Sequence, residues 1–157
     1  MAPMLPPQQL DLRFDNATAA ILTTEDGQYV LQLRDDVPHI WYPDHWGLFG
    51  GSVEPGESEI EALSRELQEE LELEPESSRP RLFTRFQFDL HPVGLGCYFR
   101  SYYEVSLSDE VFGRLVLHEG AAMRKFAGDA ALQLKLVPYD GFALFLHHHR
   151  SQLGGKI

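Results

Sequence analysis

The sequence is poor in cysteine and in positive charge. Its only cysteine, Cys97, excludes an internal disulfide framework and fits a reducing compartment, so we expect a cytoplasmic protein. There are 13 lysines and arginines against 24 aspartates and glutamates, which gives a formal net charge of -11. Such an acidic chain argues against nucleic acid or an anionic membrane as its main partner.

Long apolar runs are also missing. No stretch approaches the roughly 18 apolar residues of a membrane span, and residues 1–10 lack the basic start that is typical of a signal peptide. The length suits one domain, which we place at residues 1–157 with residues 1–12 as a proline-containing N-terminal arm.

The sequence does contain a glycine-rich loop, with Gly50, Gly51 and Gly56, that leads into an amphipathic segment. Its apolar residues recur three and four positions apart, which predicts a helix over residues 58–73 with one side in the core. These residues are Ile60, Leu63, Leu67 and Leu71.

Three glutamates, Glu66, Glu69 and Glu70, lie on an adjacent side of the same predicted helix. Like charges at this spacing destabilise a helix, and acidic groups near its C-terminal end oppose the macrodipole. Such a cluster favours an external cation, and Mg²⁺ prefers oxygen ligands of this kind. The alternative is an ordinary solvated acidic face that Arg65 screens.

The whole stretch resembles the signature sequence of the Nudix hydrolases. That signature is Gly, five residues, Glu, seven residues, Arg-Glu, an aliphatic residue, any residue, Glu-Glu, any residue, Gly and an aliphatic residue. The matching positions are Gly51, Glu57, Arg65, Glu66, Leu67, Glu69, Glu70 and Leu73. Glu72 stands where the family has Gly, so we expect Pro75 rather than a glycine cap to end the helix.

The resemblance implies an α/β fold, the Nudix α/β/α sandwich with a mixed β-sheet. It also implies Mg²⁺- or Mn²⁺-dependent attack of water on phosphorus in the pyrophosphate of a small nucleoside diphosphate derivative. Nucleoside triphosphates, nucleotide sugars, ADP-ribose and dinucleotide polyphosphates share this chemistry, and the motif does not distinguish them. Some relatives form homodimers, which leaves a homodimer open here.

Roles for individual residues follow from their positions in the motif. Glu66 is expected to activate or orient the attacking water, and Arg65 to hold the glutamates in register. The expected metal ligands are Glu69, Glu70 and Glu66, joined by the Gly50 carbonyl, Glu119 and Glu57. In Nudix proteins a further glutamate, from a loop beyond the sheet, often helps to bind the metals, and Glu119 resembles it. Glu104 and Asp109 are rivals of Glu119 for this position, and an ordinary exposed turn residue remains an alternative.

The segment from Arg34 to Trp46 precedes the glycine-rich loop and contains the aromatics Trp41, Tyr42 and Trp46. We expect Arg34, Trp41, Trp46 and Gly51 to contact substrate, with an aromatic ring stacked on a base. The alternative is that these rings only anchor the loop to its own domain.

The remaining elements are predicted from local patterns. Strands are expected at residues 17–24 and 29–33, which form a hairpin around Asp26-Gly27, and at 46–49, 82–90, 96–105 and 115–117. Helices are expected at residues 106–115 and 138–151. Cys97 should be a buried strand thiol, and His147, His148 and His149 should mark a helix end, because consecutive helical side chains cannot meet one ion.

Two other functions remain open. A catalytically idle Nudix-like domain could bind a nucleotide for regulation, although such domains usually lose the glutamates that this chain keeps. An isoprenoid isomerase of the same fold would need a cysteine before the motif, and Cys97 follows it.

Overall fold

The structure is a computed structural model that describes residues 13–74 and 78–154, and those residues form a seven-stranded mixed sheet with helices on both faces. The strands are β1 (Ala17–Thr23), β2 (Tyr29–Leu33), β3 (Trp46–Gly47), β4 (Phe49–Ser52), β5 (Arg81–Asp89), β6 (Cys97–Ser106) and β7 (Ala122–Phe126). The helices are α1 (Glu59–Leu71), α2 (Asp109–Arg114), α3 (Gly128–Ala131), α4 (Pro138–His148) and α5 (Arg150–Leu153), with a 3₁₀ turn at His91–Val93. The predicted α/β sandwich is confirmed.

The central strand β1 is buried on both faces. Ala20 and Leu22 belong to a core layer that includes Leu63 and Leu67 of α1. Ala19 and Ile21 belong to the opposite layer, which includes Leu144 of α4 and Ala131 of α3. Because successive strand side chains alternate between faces, this continuous apolar strand builds both halves of the core.

The sheet brings the glycine-rich segment next to its centre. β1 pairs in parallel with β6 and in antiparallel fashion with β2, but the β1–β2 pairing covers only the end of β1 at Leu22 and Thr23. At the other end β4 takes the place of β2, so that Ala19 lies opposite Gly50. The glycines therefore lie between the central strand and α1.

Two strand predictions need correction. The single strand expected at residues 46–49 is two short strands, because the Leu48 amide leaves the ladder and donates to the Asp140 carboxylate (3.0 Å). Residues 115–121 are irregular rather than a strand, because the Val116 and His118 amides donate to carbonyls at the end of α1. The strand that follows, β7, pairs with β2 and was not predicted.

Helix α1 begins with a capping box, in which Ser58 and Glu61 exchange side-chain-to-backbone hydrogen bonds of 3.2 and 2.7 Å. It ends at Leu71, two residues earlier than predicted. Glu72 is left-handed (φ 54°), with its amide bonded to the Gln68 carbonyl. This left-handed turn at Glu72 ends the helix. Pro75, like the N-terminal arm at residues 1–12, lies outside the described residues.

The prediction that Ile60 faces the core was wrong, since that residue is 43% exposed.

The closing helix is shorter than predicted, since it ends at His148 rather than at residue 151. Ala143 and Leu144 are buried, whereas Phe142 and Phe145 are 55% and 45% exposed. The three histidines that follow point to different partners and do not converge. His147 contacts Tyr29 and Glu104, His148 contacts Asp129, and His149 contacts Gln152.

The other predicted elements are confirmed: the first hairpin, the strands that became β5 and β6, and the short helix α2. The prediction that Cys97 is a buried thiol was wrong, because its side chain is exposed. It lies at the tip of the β5–β6 hairpin, where most residues are exposed or only half-buried.

Across residues 13–74 and 78–154, no helix is both long and apolar enough to cross a membrane.

Candidate active site

A cleft of about 550 Å³ opens beside β4 and the C-terminal half of α1. Three glutamates, Glu66, Glu70 and Glu119, are among its lining residues. Glu66 and Glu70 are one helical turn apart on α1, so they face the same direction. Glu119 reaches the cleft from the irregular segment before β7.

Glu70 is the most buried of the three, with only 3% of its surface exposed. The Gly50 amide donates to its Oε2 at 3.0 Å. Burial, and after it the nearby Glu119 and Glu66 carboxylates, together raise the pKa of Glu70 to about 9. A buried carboxyl between two others is therefore unfavourable as an anion unless a cation joins it.

Glu119 owes its position to the end of α1. The amides of Val116 and His118 donate to the Leu71 and Glu70 carbonyls at 3.0 and 2.9 Å, which satisfies helix C-terminal acceptors. The Gln32 side chain donates to the Glu119 carbonyl at 2.9 Å. These bonds fix the segment that carries Glu119 against the helix that carries Glu66 and Glu70.

The rivals of Glu119 lie elsewhere. Glu104 is bound by Arg81 and His147, and Asp109 lies in the first turn of α2. Neither residue is among those that line the cleft.

Arg65 joins the glycine-rich loop to the glutamates. Its Nε donates to Glu57 Oε1 at 2.7 Å, one terminal nitrogen donates to Glu66 Oε1 at 2.7 Å, and the other donates to the Ser52 carbonyl at 3.0 Å. Hydrogen bonds from Arg65 lower the pKa of Glu57. The pKa of Glu66 is raised, because its burial outweighs the attraction of Arg65. Arg65 thus contacts Glu66 directly, and its role in holding the glutamates in register stays a prediction.

Two of the expected metal ligands, Glu69 and Glu57, are not among the residues that line the cleft. Glu69 is exposed and reaches Arg65 only at 3.5 Å, and Glu57 is held by Arg65; neither lines the cleft. Gly50 does line it, and its amide, not its carbonyl, contacts Glu70. The carboxylate oxygens of Glu66, Glu70 and Glu119 are the donor set that hard cations such as Mg²⁺ and Mn²⁺ prefer, so the residues present fit such an ion.

Gly51 lies so close to Glu66 that a side chain at this position would have to displace the Glu66 carboxylate. A Cβ at this position would lie 2.5 Å from Glu66 Oε1. Gly50 is equally constrained, since its φ is 144° and a Cβ would overlap the Thr18 carbonyl of β1. The glycine pair therefore permits the close approach of β4 to both α1 and β1.

The other part of the cleft is aromatic. The Phe14 ring lies 4.8 Å from the Trp41 ring and 5.6 Å from the Tyr98 ring, and all three residues line the cleft. Arg34, which also lines it, donates from Nε to the Trp41 carbonyl at 2.7 Å. Trp41 accordingly anchors its loop and also lines the cleft, and its contact with substrate stays a prediction.

Trp46, by contrast, is not brought to the cleft. It pairs with Leu33 in β3, packs on the Phe126 ring at 4.9 Å and belongs to the α4-side core.

Sequence reasoning missed Arg100, which lies in β6 and lines the cleft. Asp140, in the first turn of α4, binds its Nε at 3.0 Å and also accepts from Tyr102 at 3.0 Å and from the Leu48 amide. The Arg100 guanidinium lies 5.1 Å from the Tyr139 ring centre. An arginine within the apolar run Tyr98 to Val105 was the available signal, because a charge on a buried strand needs a partner.

Comparisons with known proteins agree with this fold. A family model described as the NUDIX domain matches residues 13–140. The chain therefore belongs to the Nudix family, as its signature sequence indicated. The solution structure of the E. coli ORF135 protein is similar with a TM-score of 0.69 and 26% identity, and the match covers 92% of this chain and 96% of that one. The MutT protein from Methanosarcina mazei Go1 has the same fold, with a TM-score of 0.69 at 19% identity over 92% and 99% of the two chains.

A curated relative shares a shorter segment. The nucleoside triphosphatase NudI of Escherichia coli O1:K1 is 48% identical over 50 residues, which is 32% of this chain and 35% of that protein. The chain thus spans about a third of the length of the curated relatives that it matches.

Proposed function

We propose that this protein is a divalent-metal-dependent pyrophosphohydrolase that cleaves the diphosphate of a nucleoside diphosphate linked to another group. One observation carries the proposal: the Glu66, Glu70 and Glu119 side chains line the same cleft as an aromatic cluster and several arginines. The carboxylates suit a cation, the arginines suit phosphate oxygens, and the aromatic rings suit a base.

The acidic end of the cleft supplies the chemistry. Glu70 and Glu119 would hold the ion, with Glu69, the Gly50 carbonyl and Glu57 as further candidates. A bound divalent ion neutralises charge on the phosphate oxygens. Glu66 would accept the proton of the attacking water at a carboxylate oxygen or orient that water, and Arg65 holds this carboxylate in place (2.7 Å).

The aromatic end supports recognition of a nucleoside. The Trp41 and Tyr98 rings each pack against the Phe14 ring. All three line a cleft of about 550 Å³, a volume within the range of small-molecule sites. Arg34 would contribute by fixing the Trp41 loop, and Gly51 by leaving room beside Glu66. The name of the nucleoside triphosphatase relative makes nucleoside triphosphates the first substrates to test.

Turnover of a panel of nucleoside triphosphates, nucleotide sugars and ADP-ribose tests this proposal. Hydrolysis should require Mg²⁺ or Mn²⁺ and stop with a chelator. Glu66→Gln and Glu70→Gln should each lower kcat by about 100-fold or more, because they remove a base or an ion ligand. The matched control is Glu110→Gln, an exposed glutamate of α2, which should leave kcat unchanged.

Two results would reject the proposal. One is turnover near the wild-type value in both cleft variants. The other is nucleotide binding without metal-dependent turnover on any substrate of the panel, which would support the idle regulatory domain.

A further inference from the structure

A second group of potential metal ligands lies at the tip of the β5–β6 hairpin. We call Asp89, His91 and Cys97 the hairpin triad. The Asp89 Oδ1 atom is 2.7 Å from His91 Nδ1, and Cys97 Sγ is 3.7 Å from each of these two atoms. The three side chains are exposed, so an ion can reach them from solvent.

The backbone holds the triad in place without any ion. Asp89 and Cys97 are directly opposite each other in the β5–β6 register, so their side chains project on the same face. The Leu90 amide donates to the Gly96 carbonyl at 3.0 Å, and the His91 amide donates to Asp89 Oδ1 at 3.1 Å. A 3₁₀ turn beginning at His91 closes the loop. The three donors are therefore preorganised, and little chain entropy opposes binding.

The spacing of the donors matches a small tetrahedral ion. With metal–nitrogen and metal–oxygen bonds of about 2.0 Å and a metal–sulfur bond of about 2.3 Å, donor atoms lie roughly 3.3–3.6 Å apart. The two distances to sulfur, both 3.7 Å, already agree with this spacing. The 2.7 Å contact between Asp89 and His91 is a hydrogen bond that must open slightly when an ion replaces its proton.

The chemistry of the donors selects the ion. One sulfur, one imidazole nitrogen and one carboxylate oxygen favour Zn²⁺ and related transition metals, whereas Mg²⁺ takes oxygen ligands. We propose that the hairpin triad binds Zn²⁺ or a similar transition-metal ion, with water or another ligand in the fourth position. Binding releases the Cys97 thiol proton to solvent, and the Nδ1 proton of neutral His91 is exchanged through solvent to Nε2, which leaves Nδ1 free to bind the ion.

This site is separate from the carboxylates of the cleft. Phe88 and Tyr98, the neighbours of Asp89 and Cys97 in the two strands, line the cleft. Because strand side chains alternate, the triad lies on the opposite face of the hairpin from these two rings. An ion at the triad would fix the hairpin that forms one wall of the cleft, without contacting the reacting groups.

Titration of the full-length protein with Co²⁺, in excess Mg²⁺ to occupy oxygen-ligand sites, tests the inference. A thiolate-to-cobalt charge-transfer band should appear at one ion per chain and disappear when Zn²⁺ is added. Cys97→Ser should abolish the band, and His91→Gln and Asp89→Asn should each weaken Co²⁺ affinity by about tenfold or more.

His118→Gln is the matched control. His118 is also an exposed histidine beside a carboxylate, with Nε2 at 2.7 Å from Glu72 Oε1, but the only cysteine of the sequence, Cys97, belongs to the hairpin triad instead. This variant should bind Co²⁺ like the wild type. Absence of the band, or equal Co²⁺ affinity in wild type, Cys97→Ser and His91→Gln, would overturn the inference. Neither result bears on hydrolysis in the cleft, which is measured separately.

Discussion

Single atoms decide how the Glu66 carboxylate is placed. Arg65 holds it from one side at 2.7 Å, and the bare backbone of Gly51 faces it from another. The motif fixes both residues, but only the three-dimensional structure reveals that they act on the same carboxylate. The sequence spacing predicted that glutamates would cluster, whereas the depth of burial that separates Glu70 from Glu69 depends on β4 and the Glu119 segment.

Gly51→Ala tests this placement. The added methyl group overlaps the Glu66 carboxylate and must displace it, so we expect kcat/KM to fall by about 100-fold while the fold persists. The measurement is steady-state hydrolysis together with circular dichroism.

Gly113→Ala is the control for Gly51→Ala, because a Cβ there meets no atom within 4 Å. If Gly51→Ala retained wild-type kcat/KM, the close approach would have no bearing on activity.

The raised pKa of Glu70 predicts a pH dependence of stability. The folded state holds this proton more tightly than the unfolded state, with a pKa of about 9 against an ordinary 4.5. Its contribution to stability is complete below the unfolded pKa and is lost as pH rises through the folded pKa. In the presence of a chelator, Tm should therefore fall between about pH 4.5 and about pH 9.

Calorimetry of the wild type and Glu70→Gln measures this effect. The fall in Tm should be smaller in Glu70→Gln, and Mn²⁺ should restore the Tm of the wild type at high pH, because the ion replaces the proton. Equal slopes in the two proteins would contradict the assignment.

Among the elements, α1 was the most predictable and its end was the least. The capping box and the apolar positions of α1 are local in sequence, and Leu63, Leu67 and Leu71 are buried as expected. The left-handed Glu72 was not foreseen, because the absence of glycine suggested another way of ending the helix. Tertiary bonds from Val116 and His118 to the last turn stabilise this unusual end.

Glu72→Gly should stabilise the protein. Glycine adopts φ near 54° without the steric cost that a side chain adds, so the free energy of unfolding should rise by roughly 0.5–1 kcal/mol. The exposed contact with His118 that is lost contributes little. Urea denaturation measures the change, and His118→Gln reports the cost of losing that contact alone. A lower free energy of unfolding in Glu72→Gly than in His118→Gln would contradict this explanation.

Across the whole molecule, the sheet joins regions that are distant in the sequence into one cleft. Phe14, Glu66, Tyr98 and Glu119 come from four separate segments. The fold class followed from the motif and from alternating patterns, but contacts between distant segments did not. Thus Cys97 was expected to be buried, because the apolar pattern does not reveal that this residue lies at the exposed tip of a hairpin. β7 was missed because Ala122–Phe126 has little apolar alternation.

The central claim is that Glu66, Glu70 and Glu119 together form one cation-binding site. Anomalous diffraction from crystals containing Mn²⁺ and a slowly hydrolysed nucleotide tests it most directly. We predict an anomalous peak at about 2.2 Å from carboxylate oxygens of Glu70 and Glu119, with Glu66 beside it and the nucleotide diphosphate against it. Anomalous peaks found only outside the cleft, with the diphosphate bound away from these glutamates, would contradict the account.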